Sequence, residues 1–343
     1  MAEADPGIFS SLGLISERVI ASEAELDQAL RQARAPFVVR GLVRSWPLVE
    51  AGLRSPDEAR RYLLRHHRDV QYPVTVGSPG GGARLFYDDA MQMNFRVMKA
   101  RLVEIFTKMA SVEAAPHAPA IYLASIDTDQ FFPGFNQDNP APLGSRKPMR
   151  SIWIGSRTRV AAHNDIPDNL ACVAVGQRRF TLFPPDQIDN LYVGPLDNTP
   201  AGRAVSMVDF HAPDFDRFPR FRTALDHAQI AELEPGDAIF IPSLWWHHVE
   251  GTAAFNALLN YWWRDAPAFL GKPEDALLHA ILAIRDLPDA DKEQWRDLFT
   301  RYVFENKPEV TEHIPEHARG VLAPLTPETA GRLRAKLLRN LSR

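Results

Sequence analysis

Short runs of alternating or continuous apolar residues dominate the middle of the chain, and apolar residues at helical spacing dominate its C-terminal part. From Ala118 to Trp263 the pattern predicts strands over 119–124, 151–155, 158–163, 169–175, 178–183, 237–242 and 255–263. Upstream, Ser22 caps a helix over 22–30 whose first turn is acidic. Pro36–Arg40 reads as a strand, Ser55–His66 as a helix with Pro56 in its first turn, Asp69–Val76 as a strand and Arg96–Met109 as a helix. Ser78-Pro-Gly-Gly-Gly82 reads as a hairpin tip, because no Lys-Ser/Thr follows to make it a phosphate loop. After Arg264 helices are expected over 273–285, 290–305 and 327–342, with Leu278, Ile281, Leu282 and Ile284 on one of them. Two proline-rich insertions, 127–149 and 195–228, interrupt the strand region; loops of this length in compact domains are usually functional or packed as lids. The expectation is a mainly β chain with flanking helices. An N-terminal α/β segment (1–117) packs on a barrel (118–264), and a helical extension (265–343) follows.

Composition narrows this little. The 343 residues are 45% hydrophobic, enough for one large core. Net charge is −4, and the arginines of 54–68 are broken up by acidic residues, so nucleic acid is not an evident partner. Cys172 is the single cysteine, which excludes a disulfide within the chain and suggests a buried core thiol. There is no apolar run of ~18 residues and no basic start followed by an apolar run, so the expectation is a cytoplasmic protein without a membrane segment.

The candidate chemistry lies in Val160-Ala-Ala-His-Asn-Asp165 and in Ile241-Pro-Ser-Leu-Trp-Trp-His-His-Val249. Residues i and i+2 of a strand share a face, so His163 and Asp165 can aim an imidazole and a carboxylate at one point. A histidine from the second segment, His247 or His248, completes two histidines and one carboxylate. That is the ligand type of non-haem Fe(II) oxygenases, and it leaves positions open for small molecules.

A longer series of motifs carries a resemblance. It comprises His163-Asn-Asp165, Asn169, Phe183-Pro-Pro-Asp-Gln187, Leu191-Tyr192, Val208-Asp-Phe210, Pro213-Asp214, Arg217-Phe-Pro219, Pro235-Gly-Asp237, Ile241-Pro242, Trp245-Trp-His-His248 and Asn260-Tyr-Trp262, with weaker echoes at Tyr87-Asp88, Asn94-Phe95 and Tyr122-Leu123. Over roughly residues 20–265 the chain resembles the cupin-like Jumonji-C oxygenases, and among them the asparaginyl hydroxylase of hypoxia-inducible factor. The resemblance implies a double-stranded β-helix (cupin, jelly-roll) fold, Fe(II) and 2-oxoglutarate. It implies His163, Asp165 and His247 as metal ligands, His247 because it directly follows the paired tryptophans. It also implies Tyr122, Asn169, Arg178, Asn260 and Trp262 around the co-substrate, and a homodimer built by C-terminal helices. Leu333, Leu337, Leu338 and Leu341 form an apolar stripe suited to that role.

Four departures qualify the match. Arg178 stands where the family member has lysine; arginine can hold a carboxylate by two parallel hydrogen bonds. Val160 replaces a threonine three residues before the first ligand, and Trp153 replaces a smaller residue. The Arg-Gln pair that grips an asparagine amide is absent from Arg203-Ala-Val-Ser-Met207, so asparagine does not carry over as the target. The substrate class is therefore a protein side chain or a small molecule. Ile152, Ile154, Val173, Val175, Leu259 and Trp262 are the expected apolar walls. The rival readings are a cupin metalloenzyme that uses no 2-oxoglutarate and a non-catalytic cupin binding module.

Overall fold

The computed structural model describes residues 6–78, 83–115 and 118–342. The glycine-rich tip expected at 78–82 falls, apart from Ser78, outside the described residues. Fourteen strands are present among those described: β1 (Gly13–Leu14), β2 (Phe37–Val39), β3 (Gln71–Gly77), β4 (Arg84–Leu85), β5 (Phe95–Arg101), β6 (Ile121–Asp127), β7 (Met149–Gly155), β8 (Thr158–Asn164), β9 (Asp168–Val175), β10 (Arg178–Phe183), β11 (Gln229–Leu233), β12 (Ala238–Ile241), β13 (Trp246–Gly251) and β14 (Asn256–Trp263).

They form two sheets, in the orders β1-β11-β10-β13-β8-β4 and β2-β12-β9-β14-β7-β6-β3-β5. From β7 onward the chain passes repeatedly between the sheets, and neighbours in each core sheet pair antiparallel. This is a jelly roll, two antiparallel core sheets folded face to face. Side-chain alternation decides which residues each layer receives. Phe180, Leu182 and Val249 of the smaller sheet meet Ala171, Val173, Ile239, Ile241 and Leu258 of the larger one, forming the interior. The opposite face of the larger sheet carries Ile152, Ile154, Leu170, Cys172, Val175 and Leu259. It is covered by Leu26, Leu30, Leu48, Leu63 and Phe106 of the N-terminal helices. Four of the six expected wall residues (Ile152, Ile154, Val175 and Leu259) thus face away from the interior. The expectation ignored strand parity; Val173 keeps its inward place, and Trp262 alternates inward beside Trp153.

Residues 1–264 form one compact unit and residues 265–343 another. Residues 1–117 belong to that first unit, since their strands β2, β3 and β5 lie in the larger sheet. One helix was misplaced. Residues 95–101 are an edge strand paired with β3 over seven positions, and the helix runs Leu102–Val112. The Arg101 amide donates to the Glu104 carboxylate (2.8 Å), a cap that fixes the helix start six residues later than its apolar spacing suggested. In the second unit, helices span Pro273–Ala283, Asp289–Phe299 and Pro327–Leu341, and Thr300–Glu305 continues the middle one as a π-helix. No helix among the described residues is long and apolar enough to cross a membrane.

Candidate metal centre

His163 on β8 and His247 on β13 are direct cross-strand partners, with ring centroids 4.3 Å apart. Asp165 follows the end of β8, and its Oδ2 lies 3.7 Å from His247 Nε2. One ligand atom from each of the three lies within 4.8 Å of the others. Each imidazole is oriented by its own strand: Nδ1 of His163 contacts the Ala161 carbonyl at 2.9 Å, and Nδ1 of His247 the Trp245 carbonyl at 3.0 Å. Donation from Nδ1 would set the tautomer and leave Nε2 as the coordinating atom, as metal-binding histidines require. Burial, and then the neighbouring His163, push His247 down to about 4, so it is neutral and available as a ligand near pH 7.

The loop before β13 holds the backbone around Asp165 in place. The Leu244 amide donates to the Asp165 carbonyl (2.8 Å), the Ser243 amide to the Asp168 carboxylate (2.9 Å), and the Ser243 hydroxyl to the Ile166 carbonyl. Leu244 does this at φ +65°, a left-handed conformation unusual for leucine. Arg203 donates to the backbone oxygen of Asn164, the residue between His163 and Asp165, at 2.9 Å.

His248 points the other way. Its ring packs on Phe210 (4.6 Å between centroids) outside the barrel, so alternation separates the tandem histidines and brings His247 inward. Register also explains Val160. The pairing of β8 with β13 shifts between His247 and Val249, so Val160, three residues before His163, faces the same side. It packs against Tyr122 and Trp153.

Arg178 shares the inner face with His247, because Arg178 pairs with Gly251 and Leu182 with His247 across β10 and β13. Gly251 has no side chain to obstruct it: a Cβ there would sit 3.2 Å from the guanidinium. Arg178 is fully buried with no carboxylate partner among the described residues; its guanidinium makes no close hydrogen bond, and the Tyr122 phenol is the polar group that faces it. Burial pulls its pKa down, and the nearby Tyr122 phenol offsets this only in part. Tyr122 reaches this point because Gly155 faces it; a Cβ at 155 would stand 2.7 Å from the tyrosine ring. Gly176, at φ +75°, makes the turn that delivers Arg178.

The remaining candidates line the same interior. Asn260 donates to Asn169 (2.7 Å), and the Asn260 carbonyl oxygen is left unpaired. Trp153 packs between Tyr122 (5.8 Å) and Trp262 (5.9 Å), and both indole N–H groups are unpartnered. Two residues were missed. Thr158 and Ser151 are buried with unpaired hydroxyls, Thr158 paired with Gly251 beside Arg178 and Ser151 with Asn260. Their signal was parity: both share a face with residues already singled out. Buried polar atoms are normally satisfied, so this many unpaired donors and acceptors around one cation mark a place for a polar, anionic ligand.

The family model for the cupin-like domain matches residues 23–269. The chain belongs to this family. Its Jumonji-C relatives include a lysine-specific demethylase of Arabidopsis thaliana, 31% identical over 116 residues (34% of this chain, 21% of the relative). Human HSPB1-associated protein 1 is 32% identical over 139 residues (38% and 27%), and a mouse tRNA wybutosine-synthesizing protein is 26% identical over 197 residues (51% and 57%). The chain thus spans less than two thirds of each. Cupin-like architecture accords with the jelly roll, and His163, Asp165 and His247 are a candidate metal-holding group on it.

Proposed function

We propose that this cupin-like protein is an Fe(II)- and 2-oxoglutarate-dependent dioxygenase that hydroxylates a protein side chain or a small molecule. The observation that carries the reading is the pairing, on one inner face, of His163, Asp165 and His247 with a buried guanidinium that has no counter-ion. Fe(II) held by two neutral imidazoles and one carboxylate keeps a net charge near +1, which suits a dianionic keto acid. Bound there, Fe(II) and 2-oxoglutarate would supply oxygen-dependent hydroxylation of a C–H bond. Arg178 would hold the distal carboxylate by charge-assisted hydrogen bonds, with Tyr122 and Thr158 as further donors. Asn169 and Asn260 would fix the co-substrate's orientation, while Trp153, Val173 and Trp262 keep bulk water out.

The likeness to the asparaginyl hydroxylase supports this chemistry without its target, because Ala204 to Met207 offer no amide-gripping pair. The single, buried Cys172 accords with a cytoplasmic setting. The test is succinate release by the Fe(II)-loaded chain in a screen of peptides and metabolites. Turnover that depends on substrate and is lost in Asp165→Ala supports the reading. Metal binding with no 2-oxoglutarate turnover favours a cupin of other chemistry, and no divalent-metal binding favours a binding module.

We also propose a homodimer formed through the C-terminal helices. Leu277, Leu278 and Leu282 on one helix and Leu337, Leu338 and Leu341 on another are exposed, more apolar surface than a monomer leaves to solvent.

A further inference from the structure

We propose a second metal site on the outer face of the jelly roll, formed by His211, His248 and Glu250 and suited to Zn²⁺. It uses none of the residues of the inner centre, although His248 is adjacent in sequence to His247. One ligand atom from each of the three lies within 4.8 Å of the others. His211 Nε2 is 2.7 Å from one Glu250 oxygen, and His248 Nε2 is 3.6 Å from the other. Zinc bonds of about 2.0–2.1 Å put ligand atoms roughly 3.3 Å apart, so movements of an ångström or so would bring the set onto one ion.

The independent observation is polar atoms without partners. Nδ1 of His248 is buried without a partner, and its Nε2 and one Glu250 oxygen, both buried, face each other at 3.6 Å, too far apart for a good hydrogen bond. Thr181, directly opposite His248 on β10, leaves a buried hydroxyl unpaired beside them. A neutral imidazole with neither nitrogen hydrogen-bonded is costly in a protein interior, and a cation held between His248 Nε2 and Glu250 removes the Nε2 and carboxylate part of that cost. The neighbouring cations have other carboxylates. Arg179 donates to Glu232 at 2.6 Å and stands 3.8 Å from Glu250, while Arg159 pairs with Asp209 at 3.4 Å. Phe210 and Phe9 pack on the His248 and His211 rings. Zinc here would tie the 208–211 segment to β13, the strand that presents His247, and so brace the inner centre from behind.

The experiment is zinc titration of the chelator-stripped full-length protein, with metal content after gel filtration. Two equivalents are expected for the wild type, one for Asp165→Ala, and none when His211→Gln is added. Glutamine at 211 keeps a side-chain amide near Glu250, and thermal melting checks that each variant is folded. A crystal grown from zinc-loaded Asp165→Ala protein should show anomalous scattering between His211, His248 and Glu250. An Asp165→Ala chain that retains no zinc overturns the proposal, as does a retained equivalent that survives both His211→Gln and Glu250→Gln. Either would make the triad a hydrogen-bonded brace only.

Discussion

Replacing Arg178 by methionine separates the cost of the buried cation from its use. Arg178 is fully buried, no carboxylate among the described residues pairs with its guanidinium, and the polar group that faces it is the Tyr122 phenol. Exchanging buried ionic groups for well-packed apolar ones of similar size often stabilises by about 1–4 kcal/mol. At about 2–4 °C per kcal/mol for a domain of this size, Arg178→Met should raise the melting temperature by a few degrees to about 15 °C. 2-Oxoglutarate should act in the opposite sense. Losing a buried partner of its distal carboxylate costs about 2–5 kcal/mol, or roughly 30-fold to several-thousand-fold in affinity. At a concentration 100 times the wild-type Kd, the ligand stabilises wild type by about 2.7 kcal/mol but the variant by less than about 0.9 kcal/mol. Scanning calorimetry with Mn²⁺ in place of Fe(II), with and without 2-oxoglutarate, measures both effects. A variant that melts below wild type when ligand-free, and gains as much from 2-oxoglutarate, would refute the assignment of Arg178.

Asp165→Ala should abolish tight metal binding at the inner centre while preserving the fold, and His247→Ala should do the same; calorimetric titration with Mn²⁺, a weak ligand for the outer triad, reads both, and His248→Ala should leave that binding intact. Acid should destabilise the metal-free protein. His247 is pushed down to about 4 in the folded state, so the unfolded chain binds the extra proton, and stability should fall as pH drops from about 6.5 to about 4, by about 3 kcal/mol from this group; urea titrations across that range should show the loss, and a flat profile would contradict it. Gly176→Ala should cost about 2–4 kcal/mol, because φ is +75° and a Cβ would stand 2.4 Å from the Asn256 side-chain oxygen; unchanged thermal stability would rule out the strain. In sedimentation, the full chain should run as a dimer and a chain ending at Arg264 as a monomer; a monomeric full chain would show that the exposed leucines serve another purpose.

Much of the architecture was legible because a half-buried strand announces itself by parity. The strands at 169–175 and 178–183 were placed from apolar runs, and the helices at 22–30 and 55–66 from their serine caps, which the structure retains at Ser22 and Ser55. Strand β5 was misread because Met98 stands at helical spacing from Leu102, Ile105 and Met109, and only pairing with β3 reveals an edge strand. In the site, His163, Asp165 and His247 are close neighbours, yet the reason for choosing between His247 and His248 is the register of β13 against β8, which no local pattern contains. The wall residues failed for the same cause: without knowing which parity faces inward, Ile152 and Ile154 are as plausible as Ser151 and Trp153. Thr158 beside Arg178 depends on three neighbouring strands and on the bulge in β8, a long-range property absent from any single segment.

The most direct test of the central claim is anaerobic titration of the chelator-stripped protein with Fe(II) and 2-oxoglutarate, followed by visible absorption. The expected spectrum has a charge-transfer band that needs both metal and keto acid, saturates at one equivalent of each, and disappears in Asp165→Ala. Absence of the band in wild type, or its persistence in Asp165→Ala, would contradict the claim that His163, Asp165 and His247 present an iron-bound 2-oxoglutarate to this pocket.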